Sequence, residues 1–274
     1  LAGESAQKDV SSTGERRMCR WAAYIGEPIF LDEVVSRPGH SLIHQSQNAT
    51  EAKTVTNGDG FGLAWYDRRP EPGLYRDVYP AWSDPNLRSL AQQVRSGLFL
   101  AHVRASTGSA ISRNNCHPFV VGRWSFMHNG QVGGFEHFRK HADMMVPDAL
   151  YAYRKGATDS EVLFLLALAE GLETDPAGAL ARAAGKLAGL SKTHGAAPHL
   201  RLSAAFSDGT ALWAARGSWD SISPTVYYRW LDTRMGWAVV SEPLEMGEAD
   251  WTPLAPGKLA RFKGDRVALY DLPL

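Results

Sequence analysis

Residues 158–189 read TDSEVLFLLALAEGLETDPAGALARAAGKLAG, and this stretch decides the fold class. Thr158 followed three residues later by Glu161 is a capping-box signature, in which a hydroxyl at a helix start accepts from a backbone N–H that has no partner inside the helix. The apolar run from Val162 to Leu168 then predicts a helix over Asp159 to Glu170. Pro176, suited to a first helical turn, opens a second helix to Leu187 that ends near Gly189. Further helices are expected at Asn86 to Val94 and Phe135 to His141. Outward from this block the pattern changes to short apolar or alternating runs bounded by turn residues. On the N-terminal side these are Trp21 to Ile25, Phe61 to Tyr66, Leu98 to Val103 and Trp124 to Met127. On the C-terminal side they are Leu202 to Phe206, Ala211 to Ala215, Thr225 to Trp230, Trp237 to Val240, Leu259 to Phe262 and Val267 to Tyr270. Strands thus flank a helical block without strict βαβ alternation, which predicts an α+β sandwich rather than a doubly wound sheet. The last third is expected to complete the same sheets, giving one domain over residues 18–274. Residues 1–17 are small, polar and aperiodic, and read as a leader, a tail or an artefact of the gene start.

Of the 274 residues, 44% are hydrophobic and 21% charged, ordinary values for a globular chain. Lys plus Arg and Asp plus Glu both total 29, so no basic excess is available for nucleic acid or for an anionic membrane surface. No apolar run approaches the roughly 20 residues that cross a bilayer, and residues 1–17 lack the apolar stretch of a secretory signal. A cytoplasmic location is the expectation. Cys19 and Cys116 are too few for a disulfide framework and suit a compartment where a thiol stays reactive; a bridge between them would consume a candidate nucleophile.

Cys19 follows Met18 directly. Removal of everything through Met18 would leave a cysteine whose α-amine, with a reference pKa of about 7.7 to 8.0, can act as base for its own thiol. Taken alone, the same residue is a small apolar thiol opening a core strand. In His102-Val103-Arg104-Ala105-Ser106-Thr107-Gly108 an apolar strand ends in an arginine, whose planar fork suits the α-carboxylate of an amino acid or, equally, a structural acid. In Trp124-Ser125-Phe126-Met127-His128-Asn129-Gly130 the Asn-Gly step has the form of a tight turn; its other use is an oxyanion hole made by the Asn129 amide and the Gly130 N–H. Asp159 stands in the first turn of its helix, where it can stabilise the helix dipole or receive a substrate ammonium. Asn57-Gly58-Asp59-Gly60-Phe61-Gly62 suggests a tight loop over a site and lacks a phosphate-cradle pattern. His137 and His141, behind Glu136, read as a solvated helix face rather than as metal ligands.

In order and spacing, Met18-Cys19-Arg20, Asn57 to Gly62, His102-Val103-Arg104, Asn115-Cys116-His117-Pro118-Phe119, His128-Asn129-Gly130 and Thr158-Asp159-Ser160-Glu161 together resemble the class II glutamine amidotransferase domain, over residues 18 to about 170. The resemblance implies a four-layer αββα sandwich of the N-terminal-nucleophile hydrolase type. It implies Cys19 as nucleophile, Asn129 and Gly130 as oxyanion hole, and Arg104 and Asp159 as ligands of the glutamine main-chain groups, with Thr107 as a further substrate contact. No metal or organic cofactor is implied. Residues 171–274, with Ser241-Glu242-Pro243-Leu244, resemble the C-terminal part of stand-alone members, some of which hydrolyse γ-glutamyl intermediates in ergothioneine formation. The expected activity is hydrolysis of the side-chain amide of glutamine or a γ-glutamyl compound, releasing glutamate and ammonia or an amine. The alternative is a non-catalytic or autoinhibited glutamine-binding module; a separate ammonia-using synthase is a candidate partner in either case. Two departures stand out: the extension before Cys19, and Ala105, where the synthases often place an aromatic beside the clamp arginine.

Overall fold

The computed structural model describes residues 19–47, 57–105, 110–245 and 250–274. In its first half the chain runs β1 (Arg20–Phe30), α1 (Asp32–Val35), α2 (Leu42–Gln47), β2 (Phe61–Tyr66), β3 (Gly73–Asp77), α3 (Pro85–Gln93), β4 (Arg95–Val103), β5 (Phe119–Val121) and β6 (Trp124–Gln131). Helices α4 (Phe135–Asp143), α5 (Asp148–Tyr151), α6 (Asp159–Ala169) and α7 (Pro176–His194) follow. The chain then returns to strands with β7 (Arg201–Ser207), β8 (Leu212–Ser218), β9 (Tyr227–Leu231), β10 (Gly236–Val240), β11 (Thr252–Pro253), β12 (Lys258–Lys263) and β13 (Arg266–Asp271).

These strands form two sheets, in the orders β11-β9-β10-β1-β4-β2-β3 and β13-β12-β8-β7-β6-β5, with antiparallel neighbours throughout. Period-two alternation sorts the side chains into layers. Trp21 and Ala23 of β1, Leu98 and Leu100 of β4 and Met127 of β6 meet Ala205, Ala214 and Phe262 between the sheets. Ala22, Tyr24, Phe99 and Ala101 point the other way, against Val34, Leu42 and Leu87 of α1 to α3. On the far side, Phe126 of β6 stacks on Phe164 of α6 with ring centroids 5.2 Å apart, in a cluster shared with α4 and α7. The result is a four-layer αββα sandwich. Helix α6 is buried all round from Ser160 to Ala167, as an apolar helix held between a sheet and other helices must be.

One sequence expectation changes at a helix end. The last helix does not stop near Gly189 but runs to His194, because Leu187, Ala188 and Ser191 continue its buried face and neither Gly185 nor Gly189 crowds a neighbour. The Asn57 to Gly62 segment leads into the expected strand, with Phe61 and Gly62 opening β2. Its glycines make room: a Cβ on Gly60 would lie 2.6 Å from Cys116 Sγ, and one on Gly62 2.1 Å from the His117 carbonyl oxygen. The segment leading into β5 can therefore lie directly on β2.

Candidate active site

Cys19 stands at the mouth of β1, on the face that carries Trp21 and Ala23 inward. Because β1 pairs with β4, with Arg20 opposite Val103, the residues after β4 run beside the cysteine. The Ala105 N–H donates to Cys19 Sγ at 3.4 Å, and the thiol lies 3.5 Å from the Ala105 carbonyl oxygen. Burial pushes the Cys19 thiol above its ordinary range; the Ala105 hydrogen bond and the charges of Arg104 and Arg20 pull it down, and Asp159 adds to the rise. At neutral pH the group is thus a thiol in need of a base. Cys116, the other free cysteine, is pushed up to about 11 chiefly by burial.

The opposing sheet supplies Asn129. It lies inside β6, paired with Ser203, and Gly130 pairs with Leu202, so the Asn-Gly step is strand and not turn. Met127 faces the inter-sheet core, and two residues on Asn129 reaches across it: Nδ2 donates to the Cys19 carbonyl oxygen at 2.7 Å. The amide has a second N–H beyond that bond. Gly130 is required sterically, since a Cβ there would lie 2.0 Å from the Arg201 carbonyl oxygen.

Arg104 is buried just past β4. The contacts of its guanidinium include carbonyl oxygens, with Nη1 3.3 Å from that of Asp59 and Nη2 3.4 Å from that of Ala110. Asn115 braces the same wall, donating to the Ala110 carbonyl at 2.8 Å and accepting from the Ala157 N–H at 2.8 Å. Thr158 caps α6 by accepting from the Glu161 N–H at 3.2 Å. The Glu161 carboxylate engages Arg154 at 2.7 Å and the N–H groups of Lys155 and Gly156, so it anchors the preceding loop. Asp159 accepts from the Val132 N–H at 2.8 Å and the Ser160 N–H at 2.7 Å, which ties the start of α6 to the end of β6. A cavity of about 400 Å³ opens between Ala110, Gly130, Val132, Phe135, Ala157 and Asp159. Cys19 does not line it, although the Asp159 carboxylate is near enough for its charge to act on the thiol. Thr107 lies outside the described residues.

Behind Gly130, the Arg201 carbonyl can only accept, so His128 Nε2 carries the proton across 3.1 Å; its Nδ1 lies 2.9 Å from Ser160 Oγ, whose hydroxyl also lies 3.2 Å from the Asp159 carboxylate. Burial holds this histidine neutral against the pull of Asp159. Arg20 and Glu242 were not singled out as site residues by their motifs. Arg20 Nη1 donates to the Cys19 carbonyl at 3.0 Å, and Nε pairs with Glu242 at 2.5 Å. Their separation of 222 positions gives no local signal; the hint was the Ser241-Glu242-Pro243-Leu244 motif itself. His141, a candidate metal ligand only in principle, stacks on His194 at 5.0 Å.

Among the described residues, no helix is long and apolar enough to cross a membrane. The model of the family of class-II glutamine amidotransferases matches residues 39–226. A solved glutamine aminotransferase class-II domain protein from Silicibacter pomeroyi is 56% identical and superposes with a TM-score of 0.75, covering 93% of this chain and 99% of that one. The Saccharomyces cerevisiae protein named "Probable glutamine amidotransferase DUG3" is 39% identical over 160 residues, 55% of this chain and 45% of its own length. The gamma-glutamyl-hercynylcysteine sulfoxide hydrolase of Mycolicibacterium smegmatis is 35% identical over 117 residues, 42% of this chain and 52% of its own. The chain thus spans about half the length of these two relatives. With the family match extending over more than half of the sequence and the sandwich around Cys19 and Asn129 in place, this chain belongs to the class-II glutamine amidotransferases.

Proposed function

We propose that this protein hydrolyses the side-chain amide of glutamine or of a γ-glutamyl compound through a thioester on Cys19. The observation that carries this is the meeting of two sheets at one residue: Cys19 Sγ receives the Ala105 N–H, while the Asn129 amide from the other sheet holds the Cys19 carbonyl. With Cys19 as first residue, its neutral α-amine takes the thiol proton as sulfur attacks the amide carbon. The oxyanion is met by the second N–H of Asn129 and by the Gly130 N–H. Collapse expels ammonia or an amine, which takes the proton from the α-ammonium. Water, deprotonated by the same amine, then cleaves the thioester and frees glutamate.

Arg104 takes the substrate α-carboxylate and Asp159 its α-ammonium; the Thr107 hydroxyl is a further ligand. A substrate carboxylate would offer the buried Arg104 fork a charged, bidentate partner of a kind that the Asp59 and Ala110 carbonyls are not. The name of the Mycolicibacterium relative favours a γ-glutamyl substrate larger than glutamine, and delivery of ammonia to a separate synthase is the other use of the same chemistry. The test is release of glutamate and ammonia, from glutamine and from γ-glutamyl amines, by the wild type and by Cys19→Ala. Turnover that needs Cys19 supports the proposal; turnover retained by Cys19→Ala overturns it.

A further inference from the structure

Resting on the Cys19 thioester reading, we propose that Arg20, held by Glu242 and His40, is a positioning residue that clamps the Cys19 carbonyl and so aims the nucleophile. An N-terminal residue has no peptide before it. With no peptide anchoring it from the N-terminal side, the contacts made by its carbonyl carry a larger share of its orientation. Here the Cys19 carbonyl accepts twice, from Asn129 Nδ2 at 2.7 Å and from Arg20 Nη1 at 3.0 Å. A carbonyl oxygen has two lone pairs, so both are engaged. The Arg20 contact satisfies this oxygen from one side, which lets the planar Asn129 amide direct its other N–H elsewhere.

The clamp is itself rigid. Arg20 and Glu242 are each 2% exposed, with Nε and carboxylate 2.5 Å apart. The second Glu242 oxygen meets His40 Nε2 at 2.6 Å. Gln45 Nε2 donates to the His40 carbonyl at 2.9 Å and lies 3.3 Å and 3.2 Å from the carbonyls of Glu242 and Pro243, stapling the loop after β10 to the start of α2. Ser241 fixes the same loop to β1, its hydroxyl accepting from the Trp21 N–H at 2.9 Å and its N–H donating to the Trp21 carbonyl at 3.0 Å. A buried ion pair is a poor source of net stability against apolar side chains of similar volume. Its placement one residue from the nucleophile is explained by what it does to that residue. The Arg20 charge also favours the thiolate, in the same sense as Arg104.

The test uses the full protein with Cys19 confirmed as first residue by intact mass. Arg20→Gln, Arg20→Lys and Glu242→Gln are compared with wild type for kcat and KM on glutamine. Each rate is divided by the Cys19 sites titrated with an electrophilic glutamine analogue, and thermal midpoints are recorded separately. Misplacement of a nucleophile by a fraction of an ångström predicts a kcat per site lower by roughly 10- to 100-fold in Arg20→Gln with KM little changed. Arg20→Lys should recover part of it. Should Arg20→Gln not fold, His40→Gln loosens the clamp from its far end and is expected to lower kcat per site by a smaller factor. Unchanged kcat per titrated site alongside a lower thermal midpoint would make the pair structural and overturn the inference. A wild type that hydrolyses no γ-glutamyl amide would instead overturn the premise, and the inference with it.

Discussion

Asn129 touches the Cys19 carbonyl at 2.7 Å, so in the proposed mechanism one side chain has two tasks: holding Cys19 and meeting the developing oxyanion. Asn129→Ala is expected to lower kcat by roughly 10² to 10³, the usual loss for one oxyanion donor, with a small change in KM. Steady-state kinetics decide it; an unchanged kcat with a lower thermal midpoint would confine Asn129 to holding Cys19 in place. Arg104→Lys is expected to raise KM for glutamine more than it lowers kcat, because an ammonium cannot reproduce a bidentate grip on a carboxylate. Equal hydrolysis of simple amides lacking both charged groups would contradict this. Cys19, Arg104, Asn129, Gly130 and Asp159 could be singled out as candidates because each sits in a short motif whose residue types suit the proposed chemistry, and the fold brings Cys19 and Asn129 into contact. Arg20 and Glu242 both lie in quoted motifs, but that they pair with each other was not legible, because the ion pair is closed only by the tertiary fold across 222 positions.

Strand β6 shows how an element overrides a local preference. Asn-Gly favours a turn, yet here both residues are in the ladder with β7, because burial between β5, β7 and α6 supplies partners that a turn would forfeit. Gly130→Ala would set a Cβ 2.0 Å from the Arg201 carbonyl oxygen and 2.5 Å from His128 Nε2. It should destabilise the protein by about 1 to 3 kcal/mol and lower kcat by shifting Asn129, both measurable by urea unfolding and kinetics. The opposite sign is expected on α7. Gly185 and Gly189 lie mid-helix with nothing within 4 Å of an added Cβ, so each change to Ala should stabilise by about 0.5 to 1 kcal/mol. The overlooked elements were short ones, among them α1 at 4 residues, β5 at 3 and β11 at 2, too brief to show any periodicity. The full length of α7 exceeds the expectation because Gly189 reads as a helix end although the apolar face continues past it.

At the scale of the molecule, the two sheets meet at the site and also bury histidines beside it. His102 and His117 stack with centroids 4.3 Å apart. Burial lowers His102 from 6.5 to about 3, His117 well below 6.5, and His128 in the same direction. A histidine depressed in the folded state takes its proton first when unfolded. Its contribution to stability is therefore present above pH 6.5 and falls away as pH drops toward 3, by up to about 1.36 kcal/mol per pH unit for each such group. Urea midpoints should fall between pH 7 and pH 4.5; a flat profile would contradict neutral buried histidines. The sandwich class could be argued from strands flanking helices, but the strand order could not, because β1 pairs with β4 and β10, which are distant in sequence. The central claim is that Cys19 acts as an N-terminal residue, its own amine serving as base. The most direct measurement compares chains beginning at Leu1 and at Met18, with each N-terminus verified by intact mass, for ammonia release and for a γ-glutamyl adduct trapped on Cys19. Adduct and turnover only where Cys19 is the first residue are the predicted result; equal turnover from a chain proven to keep Met18 joined to Cys19 would contradict it.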